Sequence, residues 1–295
     1  MARRTVAPPV DEARDMNPDS SAEHRGGRGS PLLLLHGITA TFRVWEPVFP
    51  ALEEQHEVIA PTLAGHHGAA ALADGIVADI SSLADRIEVR LDELGIARPH
   101  VAGNSLGGWI ALELARRGRA RTVVAFSPPA AWCSARDLTR VSALVTAGHA
   151  AARLSGPRPR GLLTRPRGRR LLLRLAAEHG DRVPPAVVEE MIRENASCTI
   201  LDAFLRSIWR DGPIRGPVDV PGCPIRIAWP VRDRTVPFER FGVPLLTALP
   251  TAELVMLNGV GHVPMWDDPR LISSTILELS TSVDGHAATG VQPGG

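Results

Sequence analysis

Short, unbroken apolar runs alternate along the chain with stretches in which apolar residues recur every third or fourth position. The runs at residues 32–35, 57–60, 100–103, 122–126, 225–229 and 253–257 have the length of strands buried on both faces. Ile76, Ile80, Leu83, Ile87, Leu91 and Leu94 share one stripe and predict a helix over 74–94, stopped by Gly95. This alternation predicts the α/β class: a mostly parallel sheet flanked by crossover helices. From 128 to 220 it lapses into helical and Pro/Arg-rich sequence, read as a helical cap inserted over the sheet. The expected organisation is a core at 31–127 and 221–283, a cap at 128–220, and disordered tails at 1–30 and 284–295, which lack periodicity.

The junction "VAGNSLGGWI" carries the first candidate chemistry. A strand ending at Gly103 and a helix starting near Leu106 leave Ser105 on a tight turn of the form G-x-S-x-G. Side chains two residues either side would strike the neighbouring strand and helix, which accounts for Gly103 and Gly107. The helix N-terminus then points the Leu106 N–H at an oxyanion formed beside Ser105. A serine hydroxyl needs a base. His262, in "LNGVGHVPMWDDP", follows the last strand and so emerges at the same sheet edge. Asp233, in "IAWPVRDRTVP", follows the strand at 225–229 and is placed to orient that imidazole. At the end of the first run, "HGIT" lets the Ile38 N–H serve as second oxyanion donor, Gly37 permitting close approach. His36 is read as packing locally.

Composition narrows the chemistry. Lys+Arg total 33 in 295 residues and every one is Arg, so no lysine is present for a Schiff base or a phosphate loop. Tyr is absent, removing any phenolic acid. A net charge of +1 gives no whole-molecule field for nucleic acid or a membrane surface. Cys133, Cys198 and Cys223 lie far apart, without metal-ligand spacing, and are read as buried and reduced in a cytoplasmic protein. No secretory signal or membrane span is expected, the longest aliphatic run being four leucines. The pair His66-His67 lacks a third ligand for zinc, so no metal is expected.

On "HGIT", "GNSLGGW", "WPVRDRTVP" and "GVGHVPMWDDP", the chain resembles the serine-nucleophile, cap-bearing, single-domain branch of the α/β-hydrolase fold superfamily, over about residues 31–283. The resemblance implies a cofactor-free triad of Ser105, His262 and Asp233, with the oxyanion held by the Ile38 and Leu106 N–H groups. The implied activity is hydrolysis of small, mostly apolar carboxylic esters through an acyl-enzyme. Hydrolases of C–C bonds in meta-cleavage products, acyltransferases and a non-catalytic ligand receptor on this fold remain as alternatives. Haloalkane dehalogenases and epoxide hydrolases on this fold carry aspartate at the elbow, and the latter use cap tyrosines; Ser105 and the lack of Tyr disfavour both.

Two departures stand out. Only a tail precedes the "HG" strand where two antiparallel strands are usual, which predicts a sheet shortened to one upstream edge strand or none. The run at 57–60 would then lie near an edge, covered by the tail or by a second copy in a homodimer. Pro230 stands where glycine is common. For specificity, Gly37, Asn104, Phe204, Ile208, Trp209 and Val263 are the candidate substrate contacts, with Phe204, Ile208 and Trp209 on the cap's underside. Arg206 or Arg210 is a candidate partner for a substrate carboxylate. Eight arginines without an acid between Arg153 and Arg174 read as solvated surface, with an anionic ligand as the alternative.

Overall fold

The computed structural model describes residues 22–155, 160–218 and 220–289. Its centre is one sheet of β1 (Glu23–Gly27), β2 (Ser30–Leu35), β3 (His56–Pro61), β4 (His100–Asn104), β5 (Thr122–Phe126), β6 (Ile225–Pro230) and β7 (Glu253–Leu257), in spatial order β1-β3-β2-β4-β5-β6-β7. Strands β2 to β7 pair in parallel, and β1 alone runs antiparallel, against β3. Helices follow as α1 (Phe49–Glu53), α2 (Ile80–Glu93) and α3 (Leu106–Arg116). Between β5 and β6 come α4 (Ala135–Ser155), α5 (Arg160–Leu163), α6 (Pro166–Leu172), α7 (Pro185–Ala196) and α8 (Leu201–Asp211). The chain closes with α9 (Phe238–Ala248) and α10 (Pro269–Thr289).

The apolar runs are continuous because helices cover both faces. Along β2, Leu32 and Leu34 enter a core shared with Trp45, Leu52 and Ile272, on the side of α1 and α10. Leu33 and Leu35 enter the opposite core, with Leu83, Ile110 and Phe241 of α2, α3 and α9. Successive strand residues point to opposite faces, so a strand covered twice has no position left for a polar residue. At the far edge, β7 is covered on one side only, and Leu254 and Met256 are exposed.

Three boundaries differ from the sequence reading. Residues 23–27, expected within a tail, form β1. The sequence EHRGG shows no apolar alternation; its ladder to β3 and the Arg25–Glu57 pair hold it in place. Among the described residues the sheet thus has one upstream strand, and it covers the 57–60 segment. Residues 284–289, expected in the other tail, continue α10, anchored by Asp284, which accepts from Ser30 Oγ at 2.6 Å and pairs with Arg121 at 2.9 Å. The remainder of both expected tails, 1–21 and 290–295, lies outside the described residues. Helix α2 begins at Ile80 rather than 74, because Asp79 and Ser82 close a reciprocal capping box there. Ile76 is consequently 52% exposed and off the stripe. Cys133 is also exposed rather than buried.

At the amino ends of the strands, buried polar groups fasten α10 to the sheet. His56 bonds Ser30 Oγ at 2.9 Å and Ser280 Oγ at 2.8 Å; His100 bonds Thr122 Oγ1 at 2.8 Å and Asp284 at 3.1 Å. Burial lowers the pKa of His56 and of His100, and acts likewise on His36 and on His66, which falls to about 4. Each folded-state value lies below the unfolded one, so the unfolded chain binds more protons and stability drops as pH falls below about 6.5. Glu194, pushed up to about 7 by burial, acts in the opposite sense, but it is one group against four. Thermal melts at pH 7.5, 6 and 5 should show a falling midpoint. Replacing His66 by a neutral residue should flatten the part of the decline between about pH 6.5 and 4.

Candidate active site

Three strand ends meet at one edge. Ser105 ends the β4-to-α3 turn with φ 54° and ψ −115°, a conformation that side chains disfavour. Its N–H donates to Phe126 O at 2.8 Å, tying the turn to the end of β5. A Cβ on Gly103 would lie 2.2 Å from Gly107 O, and one on Gly107 would lie 2.1 Å from Leu35 O. The glycines therefore let the start of α3 settle onto both β4 and β2. Across the turn, a Cβ on Gly37 would lie 3.3 Å from Ser105 Cβ, so the loop after β2 passes directly beside the serine. Neither the Ile38 N–H nor the Leu106 N–H has a hydrogen-bond partner among the described residues. The first amides of a helix lack intrahelical acceptors, and here that leaves a donor beside Ser105.

His262 and Asp233 are joined. Asp233 Oδ2 lies 2.7 Å from His262 Nδ1, while its Oδ1 accepts from the N–H groups of Thr235 at 2.9 Å and Val236 at 2.7 Å. The carboxylate is thereby fixed in its loop, and it fixes the ring. Pro230, where glycine was expected, closes the turn by accepting the Asp233 N–H at 3.2 Å. Ser105, Asp233 and His262 are all buried, Ser105 being 8% exposed. No hydrogen bond joins the Ser105 hydroxyl to the His262 ring among the described residues; such contacts often close only around substrate.

The other sequence candidates separate. Asn104 is buried, and its Nδ2 donates to His262 O at 2.9 Å, so it braces the His262 loop against the elbow. Val263 is engaged through its N–H, which donates to Ala176 O at 2.7 Å. Phe204 and Ile208 are buried on one face of α8, but Trp209 is 48% exposed and lies off that face. His36 packs locally: its Nε2 accepts the Leu63 N–H at 2.8 Å, and its Nδ1 donates to Gly37 O at 2.8 Å. His66 packs edge-on against it, with ring centroids 4.9 Å apart. Among the described residues no cluster of three His, Cys, Asp or Glu side chains is placed to hold a metal. No helix of the described residues is long and apolar enough to cross a membrane.

Asp267 went unread in the sequence. It is buried, and its carboxylate accepts three backbone N–H groups: Gly261 at 2.8 Å, Glu178 at 2.8 Å and His179 at 2.7 Å. It thereby clamps the segment after α6 to the residue before His262. Leu175 O accepts from Thr235 Oγ1 at 2.8 Å, so the same segment also holds the Asp233 loop. The available signal was the doublet Asp267-Asp268, of which only Asp268 is used to cap α10, through the Leu271 N–H.

Two clefts open on the surface. One, of about 560 Å³, lies beside the Asp233 loop and is lined by Arg140, Arg170, Arg174, Arg234, Glu178 and Pro237. Of the eight arginines from 153 to 174, it thus receives Arg170 and Arg174, whereas Arg169 is buried and donates to the carbonyls of Leu163 and Asp181. The other, of about 450 Å³, lies between residues 71–78 and α8 and is lined by Leu72, Ile76, Val77, Ile200, Ala203 and Arg206 among others. Arg210 at its rim is engaged by Asp79 at 3.1 Å and Asp211 at 2.6 Å.

Comparison with known proteins agrees with this architecture. The sequence model described as the Alpha/beta hydrolase family matches residues 32–274. Epoxide hydrolase EphH of Mycobacterium tuberculosis is 34% identical over 201 residues, covering 66% of this chain and 91% of that protein. Among solved structures, a thermophilic esterase from Thermogutta terrifontis superposes with a TM-score of 0.69 at 21% identity, covering 89% of this chain and 93% of that one. The 2-hydroxy-6-oxo-6-phenylhexa-2,4-dienoate hydrolase of Rhodococcus sp. strain RHA1 gives 0.68 at 22%, covering 88% and 95%. At these identities the structural likeness is one of fold.

The elbow packing generates a direct test. Gly107→Ala places a methyl against backbone that cannot step aside, and should destabilise the fold by about 3 kcal/mol or more. Gly148→Ala, in α4 with open space around it, should instead stabilise by up to about 1 kcal/mol. Urea denaturation of the two variants measures both.

Proposed function

The chain belongs to the alpha/beta hydrolase family, and from that premise we propose that it is a serine hydrolase acting on small, mostly apolar carboxylic esters. The observation that carries the reading is the meeting, at one sheet edge, of a strained serine, two unengaged amides and a buried His–Asp pair braced to the elbow by Asn104. Ser105 Oγ attacks the ester carbonyl as His262 Nε2 takes its proton. Asp233 stabilises the resulting imidazolium, and the Ile38 and Leu106 N–H groups hold the oxyanion. His262 returns the proton to the leaving alcohol. A water, deprotonated in turn by His262, then releases the carboxylic acid and restores the serine.

The 34% identity to a protein named an epoxide hydrolase favours a second reading, hydrolytic opening of an epoxide. The chemistry at the elbow weighs against it. Opening by Ser105 would leave an ether, which water does not cleave as it cleaves an ester, and the chain has no Tyr to protonate the epoxide oxygen.

With p-nitrophenyl butyrate as substrate, Ser105→Ala should lower kcat by up to about a million-fold while the far-UV spectrum stays unchanged. Asp233→Asn should lower it by about ten-thousand-fold, the size of loss seen when a triad acid is neutralised. Undiminished ester turnover in Ser105→Ala would overturn the assignment. Diol formation from styrene oxide that survives the same substitution would establish the second reading in its place. Product analysis with added alcohols separates hydrolysis from acyl transfer.

A further inference from the structure

Helix α7 reaches the loop after β2, beside Ser105. Gly37 O accepts the Ala40 N–H at 3.3 Å, closing a four-residue turn whose third residue, Thr39, has φ 66°. Glycine or asparagine is favoured at such a position, and a β-branched threonine is held there against its own steric preference. Two side chains of α7 engage this loop. Asn195 Nδ2 donates to Thr39 Oγ1 at 3.0 Å, and Thr41 Oγ1 donates to the buried Glu194 Oε1 at 2.6 Å. His149 of α4 places Nδ1 2.8 Å from Asn195 O and 3.3 Å from Asn195 Oδ1, which turns the amide so that its NH₂ faces Thr39. Arg43 Nε, 3.9 Å from Glu194, is the nearest cation.

Ile38 sits inside this turn, between the glycine that lies against Ser105 and the strained threonine. We propose that Asn195 and Glu194 are positioning residues for the oxyanion hole: they keep the turn in the shape that aims the Ile38 N–H at the substrate carbonyl. The proposal rests on the serine-hydrolase reading above. It makes the helical segment between β5 and β6 part of the catalytic apparatus without touching substrate. Through α7 that segment grips both threonines and holds the donor in place.

The test uses the full chain with p-nitrophenyl butyrate. Asn195→Ala should lower kcat by about 10- to 100-fold, somewhat less than deleting an oxyanion donor outright, with KM changed less than about twofold. Adding Thr39→Gly to Asn195→Ala should restore most of the lost kcat, because glycine keeps positive φ unaided. Amide hydrogen exchange across residues 37–41 should rise in Asn195→Ala and fall again in the double variant. Wild-type kcat and wild-type exchange in Asn195→Ala would overturn the proposal. So would a kcat loss that Thr39→Gly leaves uncorrected and that accompanies a lower melting temperature, the mark of general loosening. A fluorophosphonate probe separates the two levels of argument. Failure of the wild-type protein to label at Ser105 would sink the serine-hydrolase reading, whereas equal labelling rates in wild type and Asn195→Ala would sink only this inference. Unchanged exchange at 37–41 removes it whatever the turnover.

Discussion

The active-site edge depends on backbone packing at a distance that excludes even a methyl group. The end of β4, the first turn of α3 and the end of β2 approach so closely that Gly103 meets Gly107 O and Gly107 meets Leu35 O. That contact forces the sharp turn, and the turn puts Ser105 into a conformation it would not adopt in a free chain. Everything else at the site is arranged around a serine whose position is not its own choice. The His262 loop is secured to the elbow through Asn104, and the loop after β2 passes beside the serine at Gly37.

The segment between β5 and β6 is bonded to three of the loops at this edge. Asp267 ties residues 178 and 179 to the His262 loop, Leu175 O holds Thr235 beside Asp233, and α7 grips Thr39 and Thr41. These are buried or half-buried contacts to backbone amides and hydroxyls, each worth about 1 kcal/mol net and more when the acceptor is a carboxylate. Broken together without replacement by water they would leave several polar groups unsatisfied, so the segment has reason to move as a body or not at all.

The sheet was legible because its central strands are covered twice and therefore write themselves as unbroken apolar runs, as at residues 122–126, which match β5 to the residue; the edge run at 253–257 also matches β7, although only one of its faces is covered. The placement of Ser105, Asp233 and His262 at one edge was legible because parallel strands deliver their following loops there. What escaped detection is held by other forces. Strand β1 is a polar edge strand whose fit lies in its ladder, and α2 begins where a capping box, not the apolar stripe, dictates. Trp209 was assigned to the stripe it only borders. The bond from the Asn104 amide to a carbonyl 158 positions away has no trace in the local sequence. Asp267, Glu194 and Asn195 act through bonds between distant segments, which no periodicity encodes.

The polar cluster at the opposite end of the sheet has its own consequence. Ser30 opens β2 and Asp284 lies in the final helix, and the bond between them spans 254 positions; His56 and His100 carry the same helix onto the starts of β3 and β4. Fraying of the C-terminal turns would therefore uncover the beginnings of three neighbouring central strands at once. The last helix, as far as Asp284, and the sheet centre are joined into one cooperative unit, so this part of α10 melts with the core.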